Sequence, residues 1–349
     1  MMRSFRDRDH LITPEGFIFT VIGNVHPQDR VLAYLKYIPD EIGKWGHAQT
    51  RYRRALQHYN VPSIMESIEY LRAKAPQYLF ESRVHGFTLS AVPTDRIIEH
   101  VRPEERLAQL EKREGIDELE KKAAALADLI SENAHVPIDS LGVTGSVLVG
   151  IHSPAFSDID LVIYGLDNAH RVKSFLQTIE VSSAGQIRRL AGISKERWIA
   201  ERIATTPLKR QDALNLLARK WNLGLFDGTE FSVHAVHTEP EIRERYGDEY
   251  CTSLGIVEGT AKVTDDLEAL FMPAVYGVDP SDLRGVPTLS KVDQIVSYEG
   301  LYADIAKRGE AVVCRGKIEK AESVSTIRYR IVVGSLEAQG TDYLLPLPR

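Results

Sequence analysis

The chain has little cysteine, no long apolar run and no excess of positive charge. Only Cys251 and Cys314 carry thiols. They lie far apart without metal-binding spacing, which excludes a disulfide framework or a thiolate zinc site. No apolar stretch approaches the ~20 residues that span a bilayer, and no apolar segment follows the charged N-terminus as in a secretory signal. We therefore expect a cytoplasmic protein with no membrane partner.

The overall composition is that of an ordinary globular protein. The 349 residues carry a net charge of -6, so no global positive field attracts nucleic acid, although a local basic surface could. The chain has no Walker A motif, no dinucleotide-binding Gly-x-Gly-x-x-Gly, no His-Glu-x-x-His and no nucleophile elbow. These common nucleotide-binding and hydrolase classes therefore find no support.

The residue pattern predicts an α+β protein with four segments. Residues 1–100 predict a β-hairpin, with strands near 16–23 and 30–37, followed by a helical region. An apolar stripe over 102–134 predicts one connecting helix in a segment 101–135. Residues 136–245 alternate between strand and helix patterns, and 246–349 is β-rich, with paired strands near 311–318 and 326–333.

Two short motifs in the third segment point to phosphate chemistry. Gly145 and Ser146 follow a short strand, where glycine allows backbone N–H groups to approach a phosphate and the serine hydroxyl can donate to it. Asp158 and Asp160 stand two apart at the start of an apolar strand, so alternation directs both carboxylates to one face. Such a pair of hard oxygen ligands suits Mg²⁺ or Mn²⁺.

A Gly-Ser turn followed by an Asp-x-Asp strand resembles the DNA polymerase beta-type nucleotidyltransferase superfamily. The segment Ser157–Asp160 is especially similar to archaeal CCA-adding enzymes and minimal nucleotidyltransferases, and the opening hairpin resembles uncharacterised archaeal members more loosely. The resemblance covers about residues 139–238 and implies a small mixed sheet with flanking helices. It also implies that Gly145 and Ser146 contact the triphosphate and that Asp158 and Asp160 bind the metal.

The chain departs from this family's pattern at two places. Val149 stands where many relatives carry a basic residue that holds phosphate. The strand that normally bears a third carboxylate presents Glu230, Ser232 and His234 on one face, so Glu230 or His234 would have to complete the catalytic set. Basic residues at the two ends of a predicted helix are candidates for the missing phosphate contacts: Lys209 and Arg210, and Arg219 and Lys220.

Other polar residues have plain alternatives. His152, in a loop after the turn, is expected to face solvent. Basic and aromatic residues interleave from Trp45 to Tyr59, which suits nucleic-acid contact but equally suits an amphipathic helix lying over the β-rich region.

The sequence thus predicts an enzyme that transfers a nucleoside monophosphate from an NTP to an acceptor hydroxyl, using Mg²⁺. RNA, a protein side chain and a small molecule all stay open as the acceptor. The alternative is a degenerate module of the same fold that binds nucleotide or nucleic acid without turnover. A toxin-neutralising interaction protein is a weaker third hypothesis, because minimal nucleotidyltransferases are much shorter than this chain.

Overall fold

A computed structural model describes residues 3–47, 50–58, 60–179, 185–285 and 292–347. These residues form an α+β architecture with three sheets and seven α-helices. Among the described helices, none combines the length and the apolar character needed to cross a membrane. The helices are α1 (Val61–Lys74), α2 (Pro103–Lys112), α3 (Glu118–Ala134), α4 (Gly145–Leu148), α5 (Leu166–Gln177), α6 (Gly192–Thr205) and α7 (Arg210–Arg219).

The N-terminal sheet contains the predicted hairpin. Its strands are β1 (His10–Ile12), β2 (Ile18–Val21), β3 (Arg30–Pro39), β4 (Trp45–His47), β5 (Thr50–Arg54), β6 (Leu79–Ser82), β7 (Phe87–Pro93) and β8 (Glu99–Val101). Strands β2 and β3 pair antiparallel, which confirms the hairpin. The order is β4-β5-β3-β2-β1-β8, and β7 pairs with both β3 and β6.

The basic and aromatic run also lies in this sheet. Within it, Trp45–His47 and Thr50–Arg54 form the antiparallel pair β4–β5 rather than an amphipathic helix. β-Branched and aromatic residues such as Thr50 and Tyr52 favour this extended form. Tyr59, the last residue of the run, lies outside the described residues.

The single connecting helix predicted over 102–134 is wrong, because the chain forms two helices there. Between α2 and α3, Gly115 adopts a φ of +77°, a conformation that ends a helix and favours glycine. Asp117 then caps α3 by accepting hydrogen bonds from Leu119 N and Glu120 N at 2.9 and 3.0 Å. The apolar stripe continues across the break, which is why its spacing alone suggested one helix.

The central sheet is small and mixed. Its strands are β9 (Leu141–Val143), β10 (Ile159–Tyr164), β11 (Ile187–Arg188), β12 (Leu223–Phe226) and β13 (Thr229–Val236), in the order β11-β12-β13-β10-β9. Strand β10 is parallel to β13 and antiparallel to β9. Helices α3 and α5 cover one face, where Leu126, Ile130 and Val172 pack on Leu161 and Val233. Burying each such side chain contributes about 1.5–3 kcal/mol, so this core holds β10 firmly in place.

The C-terminal sheet closes on itself. Its strands are β14 (Tyr250–Asp265), β15 (Ala274–Arg284), β16 (Val292–Ser297), β17 (Ala311–Glu322), β18 (Ile327–Val333) and β19 (Tyr343–Pro346). The order is β14-β15-β16-β18-β17-β19, and a further pairing of β14 with β17 closes a ring of five strands. Strands β17 and β18 pair antiparallel, as the sequence predicts.

Candidate active site

The turn between β9 and α4 is built around one glycine. Gly145 has a φ of +67°, and a Cβ atom there would collide with Asp160 Oδ2. The backbone conformation therefore favours glycine, and any larger residue would also displace the Asp160 carboxylate. The preceding Thr144 donates its N–H to the Asp160 carbonyl oxygen at 2.8 Å, which fixes the turn against β10. Ser146 follows in the same turn, with 4% of its surface exposed.

The two carboxylates have different surroundings. Asp158 immediately precedes β10 and is exposed, whereas Asp160 is the second residue of the strand and is half-buried. Although Asp158 is accessible to solvent, the surrounding protein atoms remove part of its hydration. The charge of Asp160, and then this partial desolvation, raises the pKa of Asp158 to about 6, against the opposing effect of Arg54 and Lys36. Burial also disfavours the ionised form of Asp160, but Lys36, His234 and a hydrogen bond from Ser232 together lower its pKa. A proton is thus favoured at Asp158 more than at Asp160.

Ser232 and His234 occupy the neighbouring strand beside the pair. Ser232 lies opposite Asp160 in the parallel ladder, and its hydroxyl donates to Asp160 Oδ1. His234 Nε2 lies 2.8 Å from Ser232 Oγ and 4.0 Å from Asp160 Oδ1. Because the serine proton points to Asp160, the imidazole must donate Nε2–H to the serine oxygen. Burial, and then the charge of Arg8, lowers the pKa of His234 to about 3, so the ring is neutral near pH 7.

Glu230 shares the strand face of Ser232 and His234 but has another partner. Its carboxylate pairs with Arg197 of α6. Within the described ranges, Glu230 does not join Asp158 and Asp160 in a group of ligand atoms closer than 4.8 Å. This geometry gives Glu230 a charge partner outside the carboxylate pair.

Three of the four basic residues predicted around α7 have side-chain partners elsewhere: Arg210, Arg219 and Lys220. Lys209 is exposed at the start of the helix, and Arg210 pairs with Glu196 at 2.7 Å. At the other end, Arg219 pairs with Glu310 at 2.6 Å, and Lys220 donates to the carbonyl oxygens of Gly300 and Ala303. Arg219 and Lys220 therefore attach the central sheet to the C-terminal sheet.

The prediction that His152 faces solvent is wrong. Its side chain is 4% exposed, and Nε2 lies 2.8 Å from Asp117 Oδ2 at the cap of α3. Glu120 lies close to both of these side chains and pairs with Arg106 at 2.6 Å. Asp117, Glu120 and His152 therefore join the start of α3 to the loop after α4.

The N-terminal sheet contributes three cations that the sequence reasoning missed. The positive charge of Lys36, in β3, favours the ionised form of both Asp158 and Asp160 and so lowers their pKa. Arg54, in β5, has this effect on the pKa of Asp158, and Arg8 has it on the pKa of Asp160. One signal was available in the sequence, because Lys36 interrupts the apolar run from Val31 to Ile38. In the structure Lys36 is only 7% exposed. Buried lysines are rare without an anionic partner.

Val149 lies against the same sheet. It packs on a small apolar cluster of Ile18, Tyr37 and Ile151, next to Trp45. A charged side chain in this cluster would lose its hydration, so an apolar valine fits this position better than a basic residue would.

Comparisons with known proteins place the chain in a family. It is 31% identical over 346 residues to the uncharacterized protein MJ1086 of Methanocaldococcus jannaschii, and the match covers 97% of this chain and 98% of that protein. The chain belongs to the family of that archaeal protein. Because the match runs through nearly the full length of both chains, it includes the segments of all three sheets and is not confined to the central one.

Two further comparisons gave no match. No protein-family model matches the chain. No solved structure matches it either.

Proposed function

We propose that the protein is a metal-dependent nucleotidyltransferase with a polymerase beta-type core, which transfers a nucleoside monophosphate from an NTP to an acceptor hydroxyl. The observation that carries this proposal is the contact between the Gly145 turn and the Asp160 carboxylate, with Asp158 beside it. A turn that can approach a phosphate and a pair of acidic oxygens that can hold a cation thus lie within one small site.

The topology around the site supports the same function. The Gly145 turn, α4 and a loop connect β9 to β10, the carboxylates stand at the start of β10, and the next strand in the sheet, β13, runs parallel to it. The resemblance implies a small mixed sheet, and a sheet of this kind supports the proposal. The residues also fit a hard divalent cation, because Asp158 and Asp160 repel each other and a bound ion would relieve that repulsion.

The reaction would use these residues mainly for binding and orientation. Bound Mg²⁺ would neutralise phosphate charge and activate the acceptor oxygen. Asp158 and Asp160 would hold the metal, and Gly145 and Ser146 would orient the triphosphate. Ser232 and His234 would keep the Asp160 carboxylate in place. The acceptor hydroxyl loses its proton to solvent, its oxygen bonds to the α-phosphorus, and pyrophosphate leaves.

The test is transfer of labelled nucleotide. The full chain is incubated with Mg²⁺ and NTPs labelled at the α-phosphate, and RNA, protein and small-molecule fractions are offered separately as acceptors. Loss of a residue that only supports a metal ligand reduces activity by up to about 100-fold. Asp158→Asn and Asp160→Asn would remove the ligands themselves, so each should reduce the rate by more than about 100-fold.

Asp167→Asn is the matched control, since this exposed carboxylate lies on α5, outside the site. It should leave the rate unchanged. Full transfer activity in the Asp158/Asp160 double variant, released pyrophosphate included, would overturn the metal assignment.

The second candidate function is a degenerate module that binds nucleotide or nucleic acid without turnover. Ser232 and His234 favour it, because they stand where the resembled enzymes carry a third carboxylate. Calorimetric titration with ATP and with RNA, each with and without Mg²⁺, separates the two. Metal-dependent ATP binding followed by pyrophosphate release supports the enzyme, whereas metal-independent RNA binding without release supports the module.

A further inference from the structure

The N-terminal sheet forms a second wall of the carboxylate site. Thr144 Oγ1 donates to the carbonyl oxygen of Arg8 at 2.9 Å, just before the Gly145 turn. Just after the turn, Gly46 N donates to the carbonyl oxygen of Ile151 at 2.7 Å, and His47 Nε2 lies 3.0 Å from that of Gly150. The N-terminal sheet is therefore hydrogen-bonded to the segment that carries Ser146 both before and after that residue.

Three cations come from this wall. Arg8 precedes β1 and has a φ of +72°, and its guanidinium lies 3.3 Å from Asp7. Lys36 lies in the middle of β3 and is almost wholly buried. Arg54 ends β5, directly opposite Tyr37 in β3, with its guanidinium 4.8 Å from the Trp45 ring centroid. Strand pairing thus brings Arg54 next to the residue that follows Lys36.

The same packing explains why the cations come from another sheet. Val149 and Ile151 bury themselves against Ile18 and Tyr37 of the N-terminal sheet. A charged side chain in place of Val149 or Ile151 would lose its hydration in this contact, which also holds β3 and β5 against the loop that leads to the carboxylates. A cation delivered by the N-terminal sheet can reach the site without being buried in the apolar cluster.

The charges of the site largely offset one another before any ligand binds. Arg8, Lys36 and Arg54 are positive, Asp158 and Asp160 are negative, and Asp7 pairs with Arg8. A divalent cation alone would meet the nearby positive charges, and a polyphosphate alone would meet the Asp158 and Asp160 carboxylates. A metal–polyphosphate complex satisfies both sets, because the metal faces the carboxylates and the phosphate oxygens face the cations.

We propose that Arg8, Lys36 and Arg54 form a polyphosphate-binding wall, so that the site is shared between two sheets and takes the metal complex of a polyphosphate rather than the metal alone. This inference rests on the proposed function for the role of Asp158 and Asp160. It adds the residues that bind the phosphates and the requirement for the N-terminal sheet.

The test measures two ligands that should respond in opposite directions. The full chain and its variants are titrated in a calorimeter with Mn²⁺ alone, and with tripolyphosphate in the presence of Mg²⁺. Arg54→Gln and Lys36→Met should each bind tripolyphosphate about tenfold more weakly, because one attractive charge is lost. They should bind Mn²⁺ alone several-fold more tightly, because one repulsive charge is lost.

Arg51→Gln is the matched control, an exposed arginine on the same strand as Arg54. It should change neither affinity. ATP titrated in parallel should lose the same factor as tripolyphosphate in Arg54→Gln, because the cations contact phosphates and not the base. A loss for tripolyphosphate alone would contradict the assignment to a nucleotide.

Unchanged tripolyphosphate binding in Arg54→Gln would overturn the proposal, as would a folded variant that loses both ligands, since that is the result of a merely structural role. Should Lys36→Met fail to fold, Arg54→Gln decides alone. Absence of nucleotide transfer in the unaltered protein would remove the proposed function but leave these binding results standing. Conversely, transfer that depends on Asp158 while Arg54→Gln binds normally would remove only this inference.

Discussion

Two glycines between β9 and β10, Gly145 in the turn and Gly150 after α4, share a backbone conformation but differ in their surroundings. Gly145 has a φ of +67° and Gly150 a φ of +64°, both in the left-handed region. A Cβ atom at Gly145 would collide with Asp160 Oδ2, whereas one at Gly150 would meet no atom within 4 Å. Comparing the two positions therefore separates backbone strain from the contact with the carboxylate.

Gly145→Ala and Gly150→Ala should each lower the free energy of unfolding by about 1–2 kcal/mol from backbone strain, as measured by chemical denaturation. Gly145→Ala should in addition displace Asp160 and weaken binding of Mn²⁺ with ATP at least about tenfold. If Gly150→Ala weakens that binding to the same extent, the contact at Gly145 is not what positions the carboxylate.

Among the elements, the break between α2 and α3 has the clearest consequence for the site. Asp117 caps α3 through one carboxylate oxygen and contacts the buried His152 through the other. His152 belongs to the loop that leads from α4 to Asp158. The cap thus connects the start of a core helix with the loop that delivers the exposed carboxylate.

Asp117→Ala should destabilise the protein by about 2–4 kcal/mol. Loss of a cap costs about 1 kcal/mol, and leaving His152 buried without its partner costs about 1–3 kcal/mol more. The measurement is the midpoint of denaturant unfolding. Glu114→Ala, an exposed acidic residue in the same break, is the control and should change stability by less than about 0.5 kcal/mol; an equal loss there would argue against the cap.

At the scale of the whole molecule, buried polar contacts join the central sheet to the C-terminal sheet. Asp304 accepts a hydrogen bond from Trp221 Nε1 at 2.7 Å and pairs with Lys173 at 2.8 Å. Lys220, 4% exposed, donates to the carbonyl oxygens of Gly300 and Ala303 at 2.8 Å each. Burial lowers the pKa of Lys220 to about 7.

The Lys220 interface should make stability depend on pH. In the unfolded chain the amine keeps its proton up to about pH 10.5, but in the folded protein only up to about pH 7. Between these values the unfolded state binds more protons, so the free energy of unfolding rises with pH, by about 1.4 kcal/mol per unit.

The check is the difference between the native protein and Lys220→Met, measured by denaturant unfolding from pH 7 to 9. The native protein should gain about 2–3 kcal/mol relative to the variant over this range. A pH-independent difference would show that the amine stays protonated at the interface.

The sequence alone determined the parts of this protein that depend on short-range patterns. Alternation predicted β10 with Asp158 and Asp160 at its start, and a glycine before a serine predicted the turn beside them. The hairpin β2–β3 and the pair β17–β18 followed from β-branched runs separated by turn residues. The spacing of apolar residues did not predict the break at Gly115, where a single residue ends a helix. It also gives little signal for a helix that buries few side chains, such as α6, of which only Ile199 is buried.

Only the tertiary structure decided what surrounds the carboxylates. Arg8, Lys36 and Arg54 are more than 100 residues from Asp158, and no local period connects them. Their position beside the carboxylates depends on an apolar contact between the N-terminal sheet and the loop after α4, in which Val149 takes part. The hydrophobic effect that drives this contact is non-directional, so the sequence shows that such residues will be buried but not against which partner.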